Sequence, residues 1–278
     1  MKEYILKVDS VDEKGLIYRI TDIILKHNLN IHSSSEFVDH ENGRFFFRAV
    51  IKTDNDINES SFLGSLSGFI PNANIKFGMK RKKDIIILAT KETHCLGDLL
   101  IRHYSGELDA NIKAVIANYD DLRNLVEKFE VPFFHISSND ISREDHEKQV
   151  LAKMSEYEFD YAILAKYMRI LSPNFVAKYP EKIINIHHSF LPAFIGANPY
   201  KQAFKRGVKI IGATAHFVNN DLDEGPIITQ DVISINHEMS WQDMRKAGRN
   251  VERNVLASGL DLVLDDRVFV YDNKTVIF

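Results

Sequence analysis

The sequence predicts an α/β protein in two parts: a small α+β domain of βαββαβ order, then a doubly wound, mostly parallel α/β domain. Three observations predict it. Residues 1–80 alternate short extended runs with two stretches of helical periodicity. A basic stretch, GMKRKKD over 78–84, interrupts the chain. Beyond it the apolar run Ile85-Ile-Ile-Leu-Ala89 opens an alternation of extended and helical segments, as expected of a parallel sheet covered on both faces.

Each element follows from its pattern. Residues 4–8 read as the first strand. Leu16, Ile17, Ile20, Ile23 and Ile24 recur at helical spacing, and Asn28 suits the stop. Strands over 31–38 and 45–51 are joined by DHENGR, whose Asn42-Gly43 pair signals a hairpin turn. After the polar stretch DNDINESS, a helix over 62–69 and a strand over 74–77 complete a ferredoxin-like plan. Placing the boundary in the basic stretch gives domains 1–80 and 84–278. In the second, strands are expected at 84–90, 112–117, 132–136, 161–165, 183–186 and 210–218, with helices near 122–129 and 143–157. The tail from 227 to 278 adds one or two strands, a long helix over 241–264 and a hairpin with Asn273 at its turn.

Bulk composition narrows the partners. Among 278 residues, 39 acids against 35 bases leave a formal charge of -4, which gives no attraction to nucleic acid. The N-terminus MKEYILKVDS lacks the apolar core of a signal peptide, and the apolar runs fall far short of the ~20 residues of a membrane span. The single cysteine, Cys95, excludes an internal disulfide and fits a reducing compartment. A cytoplasmic protein with no membrane partner is expected.

In open α/β sheets ligands bind beyond the carboxyl ends of the strands, so polar residues that end apolar runs mark candidate chemistry. Three ends are unusual. Ile183-Ile-Asn-Ile-His-His runs directly into Asn185, His187 and His188, and strand alternation puts Asn185 and His187 on one face with His188 on the other. AHFVNNDLDEGP carries Asp221 and Asp223 ahead of a Gly-Pro turn, and LAKYMRILSP breaks at Ser172-Pro173. A histidine at a strand end is often a hydrogen-bonded structural group, and Asp before Gly-Pro is ordinary turn chemistry, so spacing alone leaves both readings open. None of the eleven histidines falls in a recognised zinc-ligand spacing, so no metal is expected.

The run NIHHSFLPAFIGANPYKQAFKRGVKIIGATAHFV, followed by LDEGPIITQD, resembles the formyltransferase fold of folate enzymes, and specifically the formyltetrahydrofolate deformylase family. TKETHCLGDLL, LAKYMRILSPNFVAKYP and RVFVY extend the likeness through the second domain. DEKGLIYRITDIILKHNLNI and EFVDHENGRFFFR resemble the small ACT-type domain that precedes it in those deformylases. The resemblance implies a formyltransferase-like catalytic domain in which Asn185, His187 and Asp223 surround the formyl carbon of 10-formyltetrahydrofolate. It implies that Met168, Arg169 and Leu171 line the pteridine pocket, with the loop from Val218 to Leu222 closing over it. The implied reaction gives formate and tetrahydrofolate, supplying formate for purine biosynthesis and balancing one-carbon folates. Hydrolysis needs an activated water, an oxyanion donor and a proton for the leaving nitrogen, and a carboxylate, an amide and an imidazole offer these.

One departure separates relatives. Formyltransferases that use glycinamide ribonucleotide carry a Gly-rich turn after the first strand, offering backbone donors to the acceptor's phosphate. This chain has Thr90-Lys-Glu-Thr-His-Cys-Leu-Gly97, where Glu92 would repel the anion, so water is the expected acceptor. His94 and Cys95 are candidates for shaping the vacated pocket. The competing readings are a formyltransferase to a different acceptor, such as a small amine or a charged tRNA, the latter disfavoured by the acidic balance, and a non-catalytic folate or amino-acid sensor. The ACT-type resemblance implies a homo-oligomer with a possible amino-acid effector at the turn Asp12-Glu-Lys-Gly15. Whether the Leu191-Pro192 bond is cis or trans stays open.

Overall fold

The structure, a computed structural model, describes residues 1–193 and 198–278. Contacts divide it into two compact units: Met1–Arg81 with Asp266–Phe269 and Val276–Phe278, and Lys82–Asp265 with Val270–Thr275.

The first unit runs β1 (Lys2–Val11), α1 (Leu16–Lys26), β2 (Ile31–Asp39), β3 (Arg44–Thr53), α2 (Glu59–Phe69) and β4 (Asn74–Met79). Its strands form one sheet of order β2-β3-β1-β4, with each neighbouring pair antiparallel. Alternation along β1 and β3 sends Tyr4, Leu6, Val8, Phe45, Phe47, Ala49 and Ile51 to one face, where they pack with Leu16, Ile20 and Ile24 of α1 and Phe62 and Leu66 of α2. Asn28, in the left-handed region at φ 56°, ends α1, and the Leu29 amide turns back to the Ile24 carbonyl. Gly43, at φ 59°, makes the expected hairpin turn between β2 and β3.

The tail departs from the expected division. Alternation leaves Ile5, Phe46 and Val50 on the opposite face of the same sheet, yet all three are buried. The segments Asp266–Phe269 and Val276–Phe278, assigned by sequence to the second domain, cluster here instead. Phe269 meets Phe46 edge-on at 5.7 Å, Lys7 donates to the Val268 carbonyl, and Arg48 Nε donates to the Asp266 carbonyl at 3.1 Å.

The second unit continues with β5 (Lys83–Ala89), α3 (Thr93–Ser105), β6 (Ala110–Ala117), α4 (Arg123–Val126), β7 (Phe133–His135), α5 (Arg143–Met154) and β8 (Tyr161–Ala165). Then come α6 (Pro173–Val176), β9 (Ile183–His187), α7 (Pro199–Arg206), β10 (Ile210–Phe217), β11 (Ile227–Ser234) and α8 (Trp241–Leu264). A hairpin of β12 (Val268–Tyr271) and β13 (Lys274–Ile277) closes the chain. The seven-stranded sheet has the order β11-β10-β9-β8-β5-β6-β7, parallel from β9 to β7, with β10 and β11 antiparallel. Ile85 to Ala89 are each 0% exposed, as a central strand covered on both faces requires. Chain order reverses at β5, so the carboxyl ends of β5, β8 and β9 open onto one crevice. Helices α3 and α7 had no expectation from sequence. Among the described residues no helix is long and apolar enough to cross a membrane.

Candidate active site

A cavity of about 270 Å³ lies at the ends of β8, β9 and β10. Asn185, His187 and Asp223 all line it, and so do Met168, Arg169, Leu171, Val218 and Leu222. The three residues proposed for catalysis and the five proposed for folate contact therefore line one cavity, from three separate chain segments.

Strand β9 puts Asn185 and His187 on one face, two residues apart. His187 Nδ1 stands 3.1 Å from Asp223 Oδ1, and both side chains are more than nine-tenths buried. His187 Nε2 is buried and has no hydrogen-bond partner among the described residues. Burial raises the Asp223 carboxyl, but the hydrogen bond from His187, with the electrostatic attraction of that ring, outweighs it and holds the group below the ordinary carboxylate range. Asp223 is thus an anion in a largely dry wall.

The loop that delivers Asp223 folds back tightly. Asp223 adopts φ 60°, and Gly225 comes so close to the end of β10 that a Cβ there would lie 1.8 Å from the Phe217 carbonyl oxygen. Only glycine permits this approach. Asn273, at the turn of the closing hairpin, donates to the Glu224 carbonyl at 2.7 Å and braces the same loop.

His216 is a site residue that sequence reading missed. Its Nδ1 lies 2.8 Å from the Phe217 carbonyl and must donate to it, which leaves Nε2 as an acceptor in the neutral ring. Burial keeps the ring neutral by pulling its pKa down. Nε2 lies 3.1 Å from Asn185 Nδ2, so one amide hydrogen of Asn185 is committed there and the other remains available to a ligand. Its Cα partner across the sheet is Asn185, a pairing that the run AHFV alone does not announce.

His188 corrects an expectation. Alternation was to turn it away from His187, but β9 ends at His187 and the period lapses with it. The two rings lie 5.2 Å apart, and His188 lines the cavity. Burial, then the Lys166 charge, push its pKa down to about 3 from an ordinary 6.5. Between these values the unfolded chain binds a proton that the folded one refuses, so folded stability is full above about pH 6.5 and drains as pH falls. Urea unfolding of His188→Asn between about pH 6 and 4 is expected to show a shallower pH slope than the wild type, by up to about 1.4 kcal/mol per pH unit. An unchanged slope would show that His188 is not the group responsible.

Beside this cavity lies a second, of about 430 Å³, which shares Lys166, Met168 and His188 with it. Its inner wall is Glu252, 1% exposed, whose carboxylate accepts from His94 Nε2 at 2.7 Å, Lys166 Nζ at 3.2 Å and Tyr200 Oη at 2.6 Å. Burial raises the Glu252 carboxyl, and these partners reverse it to about 2. Lys166 enters at φ 61° just after β8. His94 does shape this second cavity, as sequence suggested. Cys95 lies fully buried beneath it, its thiol pushed up by desolvation. One ligand atom each of His94, Cys95 and Glu252 lie within 4.8 Å of one another, but the Glu252 oxygens are already taken by protein donors. The Leu191-Pro192 bond beyond β9 is cis.

Residues 83–260 match the family model described as formyl transferase. A formyltetrahydrofolate deformylase of Haemophilus influenzae is 53% identical over 278 residues, covering 100% of this chain and 99% of that protein. The crystal structure of a formyltetrahydrofolate deformylase from Pseudomonas syringae pv. tomato superposes with a TM-score of 0.96 at 39% identity, over 100% of this chain and 95% of the other. A glycinamide ribonucleotide transformylase from Symbiobacterium toebii shares 26% identity at a TM-score of 0.69, spanning 74% of this chain and 98% of its own. The transformylase likeness stops short of the full chain, whereas the deformylase likeness runs from end to end. The chain belongs to the formyltetrahydrofolate deformylase family.

Proposed function

We propose that the protein hydrolyses 10-formyltetrahydrofolate to tetrahydrofolate and formate, using Asn185, His187 and Asp223. The observation that carries the mechanism is the orientation of His187, a residue of the cavity wall: Nδ1 is held by the Asp223 carboxylate, and Nε2 is buried with no partner among the described residues. An imidazole fixed in this way accepts a proton at Nε2 while its other nitrogen donates to the carboxylate.

In the first step water attacks the formyl carbon and passes a proton to His187 Nε2. The C=O electron pair moves onto oxygen, and the amide hydrogen of Asn185 that His216 leaves available stabilises that oxyanion. Asp223 offsets the charge of the imidazolium. Collapse of the tetrahedral intermediate breaks the bond from carbon to N10, and the imidazolium returns its proton to that nitrogen. Formic acid then ionises to formate. Met168, Ile170 and Leu222, all more than 45% exposed, give the cavity an apolar rim that suits a flat pteridine, and Arg169 adds a cation.

The test is direct. Purified protein is given 10-formyltetrahydrofolate with no amine present, and formate and tetrahydrofolate are followed together. Equal release of both is expected. Release only after an amine is added would establish a transferase, and no release a sensor.

The remaining partners follow from the same reading. A homo-oligomer formed through the first unit is supported by its exposed edge strand β2, where five consecutive residues after His32 and His32 itself face solvent. An amino-acid effector at the turn Asp12-Glu-Lys-Gly15, a cytoplasmic location and a reaction without cofactor complete it.

A further inference from the structure

The second cavity holds an arrangement that hydrolysis of the formyl group does not need. Arg245 and Arg249 lie one turn apart on α8 and both reach the same carboxylate, Glu92. Arg245 bonds one oxygen, and Arg249 bonds the other at 2.7 Å. Two guanidiniums closing on the two oxygens of one anion is the geometry with which proteins grip a phosphate ester.

Glu92 is committed to this role. It occupies the N-cap position of α3, and its side chain makes no capping hydrogen bond, leaving both oxygens to the arginines. Its side chain is 24% exposed, while those of the arginines are 46% and 41% exposed, so the carboxylate is the better buried partner. Desolvation raises the Glu92 carboxyl, but Arg245 and then Arg249 overcome it and keep the group ionised. At the inner end of the same cavity the Glu252 carboxylate is bonded by Lys166, His94 and Tyr200. The chamber therefore carries its own counter-anions, and it adjoins the formyl site across Lys166, Met168 and His188.

We propose that Glu92 closes this chamber to phosphate esters: its carboxylate occupies the Arg245 and Arg249 pair as a tethered anion, so that phosphorylated amine acceptors are refused while water reaches the formyl group. The second half rests on the hydrolase reading; the first does not. A tethered carboxylate competes at an effective concentration that a dissolved phosphate ester does not match. Removing the carboxylate while leaving the arginines converts the plug into a binding site.

The experiment is calorimetric titration of the full chain with ribose 5-phosphate. Wild type is expected to give no saturable heat. Glu92→Gln and Glu92→Ser are each expected to bind at least about tenfold more tightly, because a paired charge has been removed and two guanidiniums released. Inorganic phosphate competes in both variants, and adding Arg249→Ala to either removes the gain. Two variants are used so that a folding defect peculiar to one is recognised by circular dichroism and the other decides. Binding by wild type equal to that of the variants, no gain in either folded variant, or a gain that survives loss of Arg249 would each overturn the proposal. Heat of binding requires no turnover, so formate release from the same samples judges the hydrolase reading separately.

Discussion

Asp223→Asn is expected to lower formate release by about 10² to 10⁴-fold while leaving the fold intact. The side chain is isosteric and its neighbours unchanged, so near-wild-type circular dichroism and urea midpoint are expected. What is lost is the negative charge 3.1 Å from His187 Nδ1. An amide presents either oxygen or nitrogen there, and neither offsets an imidazolium as a carboxylate does. If the nitrogen faces the ring, Nδ1 is forced to accept, Nε2 becomes the protonated nitrogen and no longer takes a proton from water. The loss should appear in kcat more than in KM, because the missing charge matters most once the proton has moved. Activity within tenfold of wild type would show that the negative charge of Asp223 is not needed for the reaction. Replacing Gly225 by Ala would be a blunter test of the same loop, since the added methyl strikes the Phe217 carbonyl that fixes His216.

How far such residues could be read in advance depended on whether their signal was local. Asn185 and His187 announce themselves: an apolar strand that ends in alternating polar residues fixes which side chains share a face. The segment from Met168 to Leu171 and the loop around Asp223 were legible as polar breaks after strands, and the family resemblance joined the three segments before any contact was known. His216 was not legible, because its significance lies in a cross-strand pairing: it becomes a site residue only when β10 runs antiparallel to β9 and places it opposite Asn185. Alternation does not place His188, because the strand and its period end at His187. Helix α3 is less legible because its apolar residues Cys95, Leu96, Leu99 and Leu100 follow a polar start.

The same distinction governs the units. The hairpin at Gly43 and the stop at Asn28 are short-range and were correct as expected. That Asp266–Phe269 and Val276–Phe278 cluster with a sheet more than two hundred residues earlier has no local signature. It answers a need of the sheet, since Phe46 and Ile5 face away from the helices and require cover. The Glu92 pairing is of this long-range kind too: sequence offered Glu92 as a lone negative charge, and the structure pairs its carboxylate with Arg245 and Arg249, more than 150 residues away.

Asn185→Ala is expected to reduce kcat by about 10² to 10³-fold, the usual cost of removing one oxyanion donor. Its amide is oriented by a chain in which each donor is determined: Phe217 accepts from His216 Nδ1, so His216 Nε2 accepts from Asn185. His216→Leu should therefore cost up to about 10²-fold by releasing the amide from its orientation, with no direct contact to the reacting carbon. If His216 works through Asn185, its loss adds little once Asn185 is gone, and the double variant should resemble Asn185→Ala alone. Rates measured on the four proteins of the cycle, at saturating 10-formyltetrahydrofolate, decide the matter. Losses that multiply would mean that His216 contributes by a route independent of the amide, and the oxyanion site would then have to be redrawn around the imidazoles.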